Sequence, residues 1–393
     1  MTTIAVIPAR GGSKGVPGKN LRLIGGASLL ARSVAACAQA RGVDRVFVTS
    51  DAADILAAAE RAGAEPIRRP DDLASDQASS ESALLHALAH VEGLGVEVDL
   101  LVFVQCTSPF VEARDVDGVI DAVRGENADC GLAVTPFHGF LWGPGDHGVE
   151  PVGHEKDVRP RRQDRAPQFL ETGAVYAMRA EGFKSARHRF FGRVASYVME
   201  PARAIEIDEP ADLVIADAAH RHAVSAALAG ALPTPVEAVV FDFDGVMTDD
   251  AVYVDETGKE TVRALRGDGL GLGHLKASGV PLAVISKEKN PVVRRRCDKL
   301  GIECLHGVDD KATAIREWIQ ARGVRLSQTL FVGNDVNDLP AFAQVGCPVA
   351  PADAHPEVLR AAKLVLTRKG GHGAVRELCD LILATQAGGQ TQG

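Results

Sequence analysis

Twice in this 393-residue chain a short apolar run ends abruptly in a loop dense with charged and small residues. Near the start, Ile4-Ala5-Val6-Ile7 leads into Pro8-Ala9-Arg10-Gly11-Gly12-Ser13-Lys14-Gly15, with Lys19 and Asn20 just behind. Past the middle, Ala238-Val239-Val240-Phe241 leads into Asp242-Phe243-Asp244-Gly245-Val246-Met247-Thr248. Buried parallel strands read as continuous apolar runs, and open α/β sheets bind ligands beyond the carboxyl ends of their strands. Each loop is therefore expected to begin an active site on its own sheet. Two such starts imply two α/β domains and two reactions, one half using what the other makes.

The rest of the chain keeps the same rhythm. Residues 3–7, 45–49, 100–105 and 132–135 read as strands, and 28–40, 55–61, 79–91 and 115–123 as helices. This alternation predicts mostly parallel sheets with helices on both faces. Residues 138–170 break it with a long polar insertion carrying Gly143-Pro144-Gly145 and Arg159-Pro160-Arg161-Arg162. Strands resume at 174–178 and 194–199, and 211–229 is an Ala-rich helix. The prolines of 230–236 mark a linker. The expected organisation is a first domain over 1–229, a second over 237–386 and a disordered tail at 387–393.

Net charge of −9 argues against nucleic-acid or anionic-membrane partners. No apolar run approaches the ~20 residues of a membrane span, and the apolar stretch before Pro8 is too short for a signal-peptide core. Seven scattered cysteines without a CxxC pair fit reduced thiols in the cytoplasm.

The first loop is built for a polyanion. Its glycines let backbone N–H groups approach closely, Lys14 and Lys19 add compact charge, and Arg10 offers a bidentate fork. The spacing is not that of a P-loop. Further on come Arg69-Pro70 with Leu73-Ala74-Ser75-Asp76, Gln105-Cys106-Thr107-Ser108-Pro109, Arg162-Gln163, Thr172-Gly173-Ala174-Val175-Tyr176, Phe190-Phe191 and Ile205-Glu206-Ile207-Asp208. In this order, over about residues 1–225, the set resembles the acylneuraminate cytidylyltransferases. The resemblance implies a nucleotidyltransferase fold and attack of a sugar acid's anomeric hydroxyl on the α-phosphate of CTP.

It also implies roles. Arg10, Lys14 and Lys19 would hold the triphosphate, with Ala9, Gly12, Ser13, Asn20 and Arg69 around the nucleotide. Gln105, Arg162 and Tyr176 would face the sugar acid, with Phe190 and Phe191 either walling it or packing the core. Glu206 and Asp208 alternate on an expected strand, so both face one side and suit Mg²⁺; a solvated strand end is the alternative. Asp212 reads as a helix-end carboxylate favoured by the dipole. Relatives often carry Pro at Cys106, Asn-Gly at Thr172-Gly173 and an arginine at Leu170. The particular nonulosonic acid therefore stays open between N-acylneuraminate, its deaminated analogue and another nine-carbon acid.

The second loop is followed by Ser286 after 282–285, Lys311 after Asp309-Asp310, and Gly333-Asn334-Asp335-Val336-Asn337-Asp338 after 329–332. These motifs resemble the haloacid-dehalogenase-type phosphatases. Asp242 would attack phosphorus, Asp244 would act as acid and then base, and Ser286 and Lys311 would neutralise phosphate oxygens. Asp242, Asp244 and either Asn334 or Asp335 would hold Mg²⁺, since relatives place an aspartate where this chain has Asn334.

The short segment between Asp244 and Ser286 leaves room only for a hairpin turning at Asp255-Glu256-Thr257-Gly258. That minimal cap, and the run from Arg368 to Arg376, resemble phosphatases acting on KDO 8-phosphate and nonulosonate 9-phosphates, which form tetramers. A homo-oligomer is expected: a tetramer through the C-terminal domain, with a dimer through the N-terminal one as a further option. Two alternatives stay open. One is the eight-carbon route from KDO 8-phosphate to CMP-KDO. The other is a non-catalytic C-terminal oligomerisation domain.

Overall fold

A computed structural model describes residues 2–389 apart from Asp76 and His147, with side chains to residue 386. The chain divides into two compact units, Met1–Arg221 and His222–Gly393. The division falls inside a helix, Pro210–Ala231, ahead of the linker expected at 230–236. Leu232 and Val236 of that stretch are buried in the second unit's core. Residues 387–389 of the expected tail continue the helix Ala374–Gly389; the remainder lies outside the described residues.

The first unit is a seven-stranded sheet. Its strands are β1 (Thr2–Pro8), β2 (Arg45–Ser50), β3 (Glu65–Arg68), β4 (Val98–Val104), β5 (Cys130–Phe137), β6 (Gln168–Arg179) and β7 (Val194–Val198), in the order β7-β5-β6-β4-β1-β2-β3. All neighbours run parallel except β6, which is antiparallel to β4 and β5. The strand period of two divides the core. Ala5 and Ile7 join Val102 and Val104 beneath α1 (Leu29–Gln39) and α4 (Ala113–Gly125). Ile4 and Val6 join Phe47, Leu101 and Phe103 beneath α3 (Ser80–Gly93). Each fully buried side chain of this kind contributes about 1.5–3 kcal/mol. The helices start where serine can cap them: Ser28 accepts from Ala31 N at 3.1 Å and Ser79 from Ser82 N at 3.1 Å.

The insertion is more ordered than its composition suggests. Leu141–Gly145 and Gly148–Val152 form an antiparallel hairpin, hidden in the sequence by its glycines and proline. Arg159 lies 4.7 Å above the Phe140 ring.

The second unit holds a six-stranded, wholly parallel sheet. Its strands are β8 (Ala238–Phe241), β9 (Leu282–Ser286), β10 (Glu303–His306), β11 (Thr329–Val332), β12 (Cys347–Ala350) and β13 (Leu364–Val365), in the order β10-β9-β8-β11-β12-β13. Val239 and Phe241 pack with Leu272 and Leu378 on one face, Ala238 and Val240 with Ile315 and Ile319 on the other. The expected hairpin forms from Thr248–Val254 and Glu260–Ala264.

Candidate active sites

In the first unit the loop after β1 folds back on itself. Asn20, almost fully buried, donates from Nδ2 to Arg10 O at 3.0 Å. Gly11 N donates to Asp51 Oδ1 at 2.9 Å, tying the loop to the end of β2. Lys19 Nζ donates to Ile207 O at 2.8 Å and to Asp208 Oδ1 at 3.2 Å. Gly15 is required by close approach: a Cβ there would sit 2.2 Å from the Asp208 carbonyl oxygen.

A cavity opens at this point, lined among others by Arg10, Ser13, Lys19, Asn20, Arg69, Ser75, Ser79, Ser80 and Thr107. Gly12 and Lys14 share the loop without lining it, and buried Ala9 donates from its backbone to Thr49 O at 3.0 Å. Arg69 is 5% exposed, yet its Nε and Nη2 have no hydrogen-bond partner. Buried donors are nearly always satisfied, so these point to a ligand bearing acceptors. Burial holds the Arg69 guanidinium below its ordinary value, while Asp51 opposes that shift.

The strand expected at 205–208 does not form. After β7 the chain turns through Pro201–Arg203 and runs without a sheet partner to Pro210. Ile207 N donates to Thr107 O at 2.8 Å, and buried Ile207 separates the exposed Glu206 and Asp208. Partial desolvation of its carboxyl, and then Asp208, push Glu206 above its usual range although the residue as a whole is exposed. Among the described residues no three or more His, Cys, Asp or Glu side chains group to hold a metal. The pair nonetheless fits Mg²⁺, which commonly takes one or two carboxylates and completes its shell with water and phosphate oxygens. Asp212 caps the following helix, accepting from Asp208 N at 2.9 Å and Glu209 N at 2.8 Å.

The sugar-side candidates are spread out. Thr107 Oγ1 lies 3.3 Å from Gln105 Oε1 and 3.1 Å from Glu206 Oε1. Thr107 was not singled out within its motif; its place at the end of β4 was the available signal. Tyr176 is buried in the apolar cluster with Ile4, Val6 and Phe103, and its ring meets Phe190 at 6.0 Å. Phe190 and Phe191 pack against the same cluster and do not line the cavity. Arg162 is exposed on a turn of the insertion. Leu170 is exposed. Asp76 lies outside the described residues.

In the second unit the four strand-end motifs do converge. One cavity is lined by Asp242, Asp244, Asp250, Ser286, Lys287, Glu288, Lys311, Asn334, Asp335 and Asn337. Lys311, buried at the start of α9 (Lys311–Gln320), places Nζ 2.8 Å from Asp242 Oδ2 and 2.7 Å from Asp338 Oδ1. Asp338 is wholly buried and also accepts from Asn334 N at 2.9 Å. Burial and then Asp338 push Asp242 up, against the pull of Lys311. Asp244 is pushed up to about 6 by burial, with Glu288 and Asp250 adding to it. Such a value suits a group that must both give and take a proton near neutrality.

Gly245 has φ of 70°, and a Cβ there would stand 1.8 Å from Asn334 Nδ2. Asp335 Oδ1 accepts from Val336 N at 2.7 Å, and its side chain also accepts from the Asp338 backbone as the cap of the short turn Val336–Asp338. The carboxylates lining this cavity outnumber Lys287 and Lys311, which fits a divalent cation here as well. Asp250, Glu288 and Asp338 were missed as site residues. Asp250, close behind Asp244 in the chain, and Asp338, at the end of the 333–338 motif, carried a local signal; Glu288 did not. The Gly-rich C-terminal segment braces the catalytic loop: Gly371 N donates to Val246 O at 3.0 Å, and Arg263 reaches both Asp249 and His372.

A phosphate-seeking loop on a mixed sheet and an Asp-x-Asp pair on a parallel one define a nucleotidyltransferase unit and a phosphatase-type unit. Residues 4–205 match the family model "Cytidylyltransferase", and residues 298–378 match "haloacid dehalogenase-like hydrolase". The chain is 27% identical to N-acylneuraminate cytidylyltransferase A of Danio rerio over 99% of its own length and 90% of that protein's. It is 39% identical to the 3-deoxy-D-manno-octulosonate 8-phosphate phosphatase KdsC of Yersinia pestis, over 38% of this chain and 81% of that one. A solved structure of such a phosphatase from Moraxella catarrhalis, in complex with magnesium ion, phosphate ion and KDO, is 32% identical with a TM-score of 0.39. It covers 44% of this chain and 97% of that one. The chain belongs to the cytidylyltransferase family and carries a haloacid dehalogenase-like hydrolase unit behind it.

Proposed function

We propose that the chain activates a nonulosonic acid in two steps. The C-terminal unit hydrolyses the sugar-acid 9-phosphate, and the N-terminal unit joins the freed acid to CMP. In the second step the anomeric oxygen attacks the α-phosphorus of CTP, the bond to the β-phosphate oxygen breaks, and pyrophosphate leaves. Arg10, Lys14 and Lys19 neutralise the triphosphate. Ala9, Gly12, Ser13, Asn20 and Arg69 surround the nucleotide. Gln105, Arg162, Tyr176, Phe190 and Phe191 serve the sugar acid. Positioning and charge neutralisation account for the rate. Glu206 and Asp208 would hold Mg²⁺, which would supply charge stabilisation at the phosphates.

At the C-terminal unit Asp242 attacks phosphorus while Asp244 protonates the leaving alcohol. Asp244 then takes a proton from the water that cleaves the aspartyl-phosphate. Ser286 and Lys311 hold phosphate oxygens, and Asp242, Asp244 and Asn334 or Asp335 serve a second Mg²⁺.

The observation that carries the first reaction is buried Arg69, with two unmet donors, in a cavity it shares with Arg10, Lys19 and Asn20. The near full-length likeness to an N-acylneuraminate cytidylyltransferase supports the substrate class. Pyrophosphate release from CTP and Mg²⁺, measured over a panel of free sugar acids, tests it. Release with nine-carbon acids is expected; release with none of them contradicts the proposal.

An eight-carbon substrate at the second unit is favoured by its 39% identity to a 3-deoxy-D-manno-octulosonate 8-phosphate phosphatase. Orthophosphate release from eight- and nine-carbon sugar-acid phosphates separates the two. We place the enzyme in the cytoplasm as a homo-oligomer, a tetramer through its C-terminal unit. All seven cysteines are free, and among the described residues no helix is long and apolar enough to cross a membrane. Light scattering of the purified chain tests the assembly.

A further inference from the structure

We propose that Arg189 is a positioning residue for cytidylyl transfer, coupling the nucleotide cavity to the sugar-side tyrosine. This rests on the cytidylyltransferase activity proposed above. Two contacts meet on one guanidinium. On one side, Arg189 Nε donates to Glu81 Oε1 at 2.7 Å, with both side chains mostly shielded from water. Glu81 stands in the first turn of α3, where the helix dipole favours a carboxylate. It directly follows Ser79 and Ser80, which line the nucleotide cavity. On the other side, the guanidinium lies 4.8 Å from the Tyr176 ring centroid and 5.1 Å from that of Phe103. Those rings stack at 5.3 Å, and the Tyr176 hydroxyl donates to the Glu171 carboxylate.

Arg189 thereby links the start of α3, beside the nucleotide cavity, to the Tyr176 ring, which the proposed function assigns to the sugar acid. Only arginine does both jobs: its Nε–H pairs with Glu81 while its planar guanidinium lies over the rings. Lysine keeps the charge and loses the plane.

That difference supplies the test. In the full-length chain, Arg189→Lys is expected to raise KM for the sugar acid about threefold or more, as loss of a shielded cation–π contact implies. KM for CTP should stay near wild type. Arg189→Met should raise both. In a Tyr176→Phe background, Arg189→Lys should add nothing further to the sugar-acid KM. Equal changes in both KM values with Arg189→Lys, additive effects with Tyr176→Phe, or a lowered Tm with both KM values unchanged would overturn the role. Absence of CMP transfer in the wild-type chain would instead contradict the proposed activity itself.

Discussion

Lys311 sits 2.8 Å from Asp242 with almost no exposure to water, and it divides its charge between that nucleophile and Asp338. One buried cation thus serves two buried carboxylates. Removing it leaves both uncompensated. Lys311→Ala is expected to destabilise the chain by about 3–5 kcal/mol, the range for breaking a buried pair. It should also abolish phosphate release. Denaturant unfolding checks the first outcome and an orthophosphate assay the second.

Asp338 never touches the phosphate in this scheme; it fixes Lys311 and the backbone of Asn334. Asp338→Asn should therefore lower kcat for phosphate release about tenfold or more, the scale expected for a misplaced electrostatic group, while free sugar acid is still coupled to CMP at the wild-type rate. Parallel steady-state assays on one preparation read both.

Arg69 has two buried donors waiting for acceptors. Arg69→Met removes them together and should weaken CTP binding by about 1.5–3 kcal/mol, the usual worth of hydrogen bonds to a charged group. Isothermal titration with CTP measures this directly. Unfolding free energy should change little or improve, because an unsatisfied buried charge is lost as well.

The carboxyl groups of Asp242 and Asp244 are both pushed up by burial. A raised carboxyl favours the folded state below the unfolded value and loses that contribution as pH rises through the folded value, about 6 for Asp244. Without metal, the C-terminal unit should thus gain stability on going from about pH 7.5 to about pH 5. Mg²⁺ should raise Tm most at the higher pH, where the carboxylates are ionised. Asp244→Asn should flatten both trends. Scanning calorimetry with and without a chelator checks them.

Gly15 leaves no room for a side chain beside the Asp208 carbonyl. Gly15→Ala should displace the 205–208 segment, break the Lys19–Asp208 contact and raise KM for CTP and for Mg²⁺ together. A rise in KM for CTP with KM for Mg²⁺ unchanged would show that the segment does not hold the metal.

Both sheets were legible because their strands are continuous apolar runs, helped in the first unit by the serine caps at Ser28 and Ser79. The two catalytic loops were legible because their residues are neighbours in the chain. Contacts across long separations were not. Nothing local marks Lys311 as the partner of Asp338, or Glu288 as a neighbour of Asp244. The strand expected at 205–208 had the right alternation, but a strand also needs a partner, and the turn at Pro201–Arg203 takes the segment away from one. The hairpin at 141–152 failed in the opposite direction: glycine and proline concealed a pairing that tertiary contacts support.

The central claim is that two reactions run in sequence on one chain. Its most direct measurement supplies sugar-acid 9-phosphate, CTP and Mg²⁺, and follows orthophosphate and pyrophosphate together. Both should appear, orthophosphate first. Asp242→Asn should stop both from the phosphorylated substrate while leaving pyrophosphate release from the free acid intact. Pyrophosphate from the free acid, with no orthophosphate from the wild-type chain given the phosphorylated one, would contradict the claim.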